Sequence, residues 1–95
     1  MEIIITHNIE ERRFETIIEG VKGYVEYEPY LGGLDLTHTI VPKVIGGRGV
    51  AAALVKHTLE YAKENSLKVK PTCPYIKTYM ERYKESYGGL EDSAQ

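Results

Sequence analysis

The sequence predicts an α+β fold: an antiparallel four-stranded meander, then a β-α-β crossover that gives the second half α/β character, then a C-terminal helix. Three observations predict it. Apolar and polar residues alternate with period two as far as Pro42, the period becomes helical beyond it, and a short β-branched run separates two helical stretches.

The elements follow in order. Ile3-Ile4-Ile5-Thr6 reads as a short first strand. From Arg12 to Glu19, Phe14, Thr16 and Ile18 share one face and Arg13, Glu15, Ile17 and Glu19 the other. Glu19-Gly20 is a hairpin turn. Val21, Gly23, Val25 and Tyr27 then alternate against Lys22, Tyr24, Glu26 and Glu28 until Pro29 closes the third strand. Gly32-Gly33 reverses the chain, and Leu34, Leu36, His38 and Ile40 alternate with Asp35, Thr37, Thr39 and Val41. After Pro42, Gly46-Gly47-Arg48-Gly49 leads into a helix over residues 50–64, with Ala51, Leu54, Val55, Thr58, Leu59, Tyr61 and Ala62 on its apolar side. Asn65-Ser66 suits its exit, and Leu67 to Lys70 makes a fifth strand. Pro74 then opens a second helix that runs to Ser86 and stops at Gly88-Gly89.

Composition bounds the function. A chain of 95 residues, 42% hydrophobic and 27% charged, reads as one soluble globular domain over residues 1–90 with a polar, frayed tail over 91–95. One Cys and three scattered His form neither a disulfide framework nor a zinc pattern, so no metal is expected. A net charge of −2 gives no reason to expect nucleic acid. The apolar runs Ile3–Ile5 and Val50–Val55 fall far short of the ~20 residues of a membrane span, and Met1-Glu2-Ile3 lacks a signal-peptide layout. A cytoplasmic protein without membrane attachment is the expectation, and a lone thiol fits that compartment.

The crossover makes strands four and five parallel and aims the glycine loop and the following helix N-terminus at one place. Free N–H groups and the helix dipole make that place an anion site. The absence of Gly-Lys-Ser/Thr disfavours a P-loop, and Gly47-x-Gly49 alone is a weak dinucleotide fingerprint.

Three segments carry a more specific likeness. His38-Thr39-Ile40-Val41-Pro42, Gly47-Arg48-Gly49-Val50-Ala51 and Pro71-Thr72-Cys73-Pro74-Tyr75 together resemble the small single-domain branch of the GNAT-type N-acetyltransferases, over about residues 3–90. That branch keeps the cofactor-binding core and lacks the usual substrate-side helices. The resemblance implies a GNAT-like fold and acetyl-coenzyme A as cosubstrate. It implies a pyrophosphate on the backbone of Gly47, Arg48, Gly49, Val50, Ala51 and Ala52, and a thioester reaching Ile40, Val41 and Cys73. In the family loop pattern Gln/Arg-x-x-Gly-x-Gly/Ala, Gly49 and Ala51 match, but Gly46 stands where a phosphate-facing Gln or Arg is usual. Arg48 is placed to supply part of that charge.

Each candidate side chain has two readings. Cys73, directly before Pro74 at a helix start, reads as nucleophile, as acid toward the leaving thiolate or as a partner for a mixed disulfide with coenzyme A; it also reads as a small buried packing residue. His38 reads as a general base for the acceptor amine or, sharing a face with Leu34 and Leu36, as a packed histidine. His7 and His57 carry no motif and read as surface residues. Tyr75, Tyr79, Tyr83 and Tyr87 recur every fourth residue, a stripe that reads first as packing against the sheet. The resemblance singles out Tyr79 as an acid to the coenzyme A sulfur. Glu26 and Glu28 read as a solvated face or as recruiters of a cationic amine.

Two function classes result: an N-acetyltransferase acting on an unidentified amine, and a non-catalytic protein that binds or senses acyl-coenzyme A. The open acceptor side suits a peptide or protein acceptor, or a dimer that completes the site, so monomer and homodimer both stay open.

Overall fold

The computed structural model describes residues 2–92. Its sheet has five strands in the order β1 (Thr6–Asn8), β2 (Arg13–Ile18), β3 (Val21–Tyr30), β4 (Gly33–Ile40) and β5 (Lys68–Lys70). The first four pair antiparallel with their sequence neighbours; β4 and β5 pair parallel through Gly33↔Lys68, Leu34↔Val69 and Asp35↔Lys70. Helix α1 (Val50–Glu64) makes the crossover, and α2 (Pro74–Arg82) and the single-turn α3 (Lys84–Tyr87) follow β5. The fold is thus α+β with a mixed sheet, as the pattern predicts.

One cluster forms the core. Phe14, Ile18, Val25, Tyr27, Leu34, Leu36 and Val69 from the sheet pack with Val50, Leu54, Val55, Leu59 and Ala62 of α1 and with Ile76 and Met80 of α2. Hydrophobic burial at about 25 cal/mol per Å² is the main force holding these layers together. The other sheet face bears Ile17, Lys22, Glu28, His38 and Ile40, all exposed, and no helix among the described residues covers it.

Several expectations need correction. The first strand is Thr6–Asn8, not residues 3–6; Ile3 and Ile5 pack against the core ahead of it, held by the Thr16 hydroxyl donating to the Ile4 carbonyl at 2.7 Å. Strand β3 runs through Pro29 to Tyr30, because Pro29 lies opposite Leu34 near the strand end, where a lost N–H costs little. The last helix breaks at Tyr83 (φ −112°, ψ 41°), and the chain resumes as α3 and a 3-10 turn over Gly88–Leu90. The tyrosine stripe is not the packing face of α2: Ile76 and Met80 are buried, while Tyr75 and Tyr83 are exposed. Only Tyr87 is buried, donating to Glu60 of α1 at 2.6 Å. His7 is no bare surface residue either. Its ring stacks on Phe14 with centroids 4.1 Å apart and meets the Tyr27 hydroxyl at 2.5 Å. Glu91 and Asp92 of the expected frayed tail are docked: the Asp92 N–H donates to Val69 at 2.8 Å and the Tyr30 hydroxyl to the Asp92 carboxylate. Burial and that carboxylate push the Tyr30 phenol up to about 12. Residues 93–95 of that tail lie outside the described residues.

Candidate functional site: a strand opening beside a glycine-rich helix start

Strand β4 departs from regularity halfway along. Opposite it, Tyr27 pairs with Leu36 but Glu26 pairs with His38, so Thr37 is an extra residue, a β-bulge. The Thr37 hydroxyl donates to the Glu26 carbonyl at 3.1 Å and closes the gap. Because the side-chain period of a strand is two, one inserted residue flips everything after it. Leu34 and Leu36 therefore face the core, whereas His38 and Ile40 face outward opposite Glu26 and Tyr24, and Thr39 turns inward opposite Val25.

The same strand loses its other neighbour. Pairing with β5 ends at Asp35↔Lys70. There the chain turns away through Pro71-Thr72, with Thr72 donating to the Asp35 carboxylate, and the Cys73 N–H takes the Leu36 carbonyl at 2.9 Å. From Thr37 to Ile40, β4 has β3 on one side and no strand among the described residues on the other. An opening results between the end of β4 and the start of α2.

The glycine loop stands at that same end. Pro42 accepts the Ile45 N–H in a 3-10 turn over Lys43–Ile45, and Ile45 is fully buried, which anchors the loop. Gly47 (φ 75°) and Gly49 (φ 79°) are both left-handed, a conformation that costs glycine least. Gly49 caps α1 without a side-chain hydrogen bond, so no capping side chain among the described residues takes up the first N–H groups of the helix. A Cβ at either glycine would meet nothing within 4 Å, so backbone conformation and open approach, not crowding, select glycine here.

Arg48 is engaged, contrary to the free phosphate partner the loop suggests. Its guanidinium donates to both oxygens of Glu19, at 3.0 and 3.3 Å, and to the Val44 carbonyl at 3.4 Å. The hydrogen bond and charge of Arg48 hold the Glu19 carboxyl below the usual carboxylate range. No sequence signal pairs these residues, which lie 29 positions apart.

The three candidate side chains do not converge. Cys73 is buried at the start of α2, and its thiol donates to the Thr39 hydroxyl at 3.4 Å on the inner side of β4. His38 adjoins Thr39 but points to the other face, so the expected packed histidine is instead exposed. Its Nδ1 lies 3.3 Å from the Glu26 carboxylate. Tyr79 is half-buried among Tyr83 and Tyr87, with ring centroids 4.7 and 6.3 Å away, and burial followed by its tyrosine neighbours raises its phenol. Ile40 ends β4 at the opening, outward and exposed, and Val41 follows it, partly buried against the core.

On the uncovered face the charges are paired in rows. Glu26 lies between His38 and Arg13 at 3.3 and 3.6 Å, and the Arg13 guanidinium covers the Tyr24 ring at 4.1 Å. Lys22 lies 3.3 Å from Glu15, which is buried although it shares a strand face with the exposed Ile17.

Sequence comparison adds relatives to this geometry. A family model described as GCN5-related N-acetyl-transferase matches residues 13–90. The chain is 36% identical over 83 residues to the protein NATD1 of Mus musculus, spanning 83% of this chain and 74% of that one. The protein NATD1 of Homo sapiens is likewise 36% identical over 83 residues, spanning 83% and 73%. That of Danio rerio is 33% identical over 81 residues, spanning 81% and 73%.

Proposed function

Since the chain belongs to the GCN5-related N-acetyltransferase family, we propose that it transfers an acetyl group from acetyl-coenzyme A to an amine in the cytoplasm. The observation that carries this reading is the coincidence, among the described residues, of two vacancies in backbone pairing: β4 without a second strand neighbour from Thr37 to Ile40, and α1 with an N-terminus no side chain caps, both at one end of the sheet.

In this reading the N–H groups from Gly47 to Ala52 hold the pyrophosphate, aided by the helix dipole. Gly46 has no side chain to add, and its N–H is spent on the Lys43 carbonyl. The pantetheine arm lies along Thr37–Ile40 in place of a sixth strand and brings the thioester to Ile40, Val41 and Cys73. The acceptor nitrogen, neutral when it reacts, attacks the thioester carbon, and a β4 N–H steadies the oxyanion that forms. The carbon–sulfur bond then breaks. The Cys73 thiol delivers a proton to the departing sulfur, and His38, aligned by Glu26, accepts the proton that leaves the nitrogen. The raised phenol and tyrosine surroundings of Tyr79 suit it less well to the acid's role.

Calorimetric titration with acetyl-coenzyme A, coenzyme A and adenosine tests the reading. Saturable binding of both coenzyme A species but not of adenosine is expected, with binding abolished in Gly49→Asp, which sets a carboxylate against the pyrophosphate. Absence of coenzyme A binding at millimolar concentration, or intact binding in that variant, sinks the proposed site. Binding without transfer to any amine would leave an acyl-coenzyme A binding protein.

A further inference from the structure

A cavity of about 680 Å³ lies away from the opening at β4. It lies beside the edge strand β1 and is lined in part by the sheet face that no helix among the described residues covers. Ile4, Ile9 and Ile17 wall it, each more than 60% exposed, an unusual cluster of large apolar side chains in contact with water. Glu15 stands in that wall with only 8% of its surface exposed. Asn8 reaches both of its oxygens at a long 3.3 Å, and Lys22 lays an ammonium on an alkyl stem against it. A second carboxylate, Glu10, also lines the cavity and has no ion-pair partner among the described residues. Two carboxylates against one ammonium, in an apolar setting, complement a cation carried on a hydrocarbon chain.

The sheet register connects this cavity to the proposed reaction centre. Thr6, Glu15, Tyr24 and Ile40 are successive cross-strand partners, a straight row from the cavity to the end of β4. Glu15 and Ile40 are two strand spacings apart, about 10 Å. Resting on the acetyl-transfer reading, we propose that the cavity is an acceptor subsite: Glu15 takes an alkylammonium group, so that the favoured acceptor is a small linear diamine whose second ammonium lies about 10 Å from the nitrogen that is acetylated. Lys22 is the group that fills this position when no acceptor is present.

Titration with hexylamine and with hexanol, followed through the methyl signals of Ile4, Ile9 and Ile17 without coenzyme A, reads the cavity directly. Hexylamine should shift these signals and hexanol should not. Glu15→Gln should abolish the response, and Lys22→Met, an exposed change that leaves the core intact, should strengthen it. An equal response to the alcohol, no response to the amine, or no gain in Lys22→Met overturns the proposal; the last readout decides alone if Glu15→Gln does not fold. In transfer assays diaminooctane should then show a lower KM than hexylamine, by about ten-fold for one charge-assisted contact, with the difference lost in Glu15→Gln. Equal KM values in an active enzyme also overturn it. If no amine is acetylated, the acetyl-transfer reading fails while the cavity titration still stands or falls by itself.

Discussion

Glu19 and Arg48 form an ion pair that spans the β2–β3 turn and the glycine loop, at the place where a phosphate would need the same guanidinium. In the proposed reading Glu19 is therefore an internal competitor for the anion. Glu19→Gln is expected to tighten coenzyme A binding by a few-fold at low salt, with the gain fading as ionic strength rises, because both groups are exposed and screened. Calorimetry across a salt series checks this. Cys73 poses a different residue-scale question, since burial against Thr39 fits both packing and chemistry. Cys73→Ala should lower the transfer rate by about a hundred-fold, the lower range for loss of a positioned acid, and leave coenzyme A affinity alone. An unchanged rate would reduce the thiol to a core residue.

Strands β4 and β5 set the opening through three residue pairs, and Gly33 is the first of them. A Cβ at Gly33 would sit 2.6 Å from the Lys68 carbonyl and 2.5 Å from the Tyr30 hydroxyl. The phenol can move, but the carbonyl belongs to the strand it pairs with. Gly33→Ala should thus push β5 away and destabilise the fold by about 1–3 kcal/mol, a typical overpacking cost. Chemical denaturation gives that value, and faster amide exchange at Lys68–Lys70 than elsewhere in the sheet would locate the damage. The bulge at Thr37 acts on the same element. Alternation marks Leu34, Leu36, His38 and Ile40 as one face, and that is true only of the first two. Nothing in the composition of β4 announces an extra residue, because a bulge is defined by the register of two strands.

For the whole molecule, the packing of His7 on Phe14 makes stability depend on pH. Burial first, and then the nearby His57, lowers its pKa below 6.5. The unfolded chain therefore binds a proton at a pH where the folded one does not. The His7 contribution to stability is complete above about pH 6.5 and is lost as acid is added, until the folded ring itself is charged. Thermal unfolding of the native chain from about pH 7.5 to 5 should show this decline, and His7→Phe should flatten it. An equal slope in both proteins would assign the decline to other groups.

Local pattern alone determined a good deal: the period-two runs named the meander, the change of period at Pro42 named the crossover, and α1 occupies the predicted residues 50–64. The glycine loop and Cys73 at a helix start were legible for the same reason, since turn and cap chemistry acts over a few neighbouring residues. Tertiary structure decided everything that depends on partners far along the chain. It turned His38 away from Cys73, tied Arg48 to Glu19, buried Glu15 beside a cavity and docked Asp92 under Tyr30. Each of these is a choice of register or a charge pairing across tens of residues, and a local pattern contains no term for either.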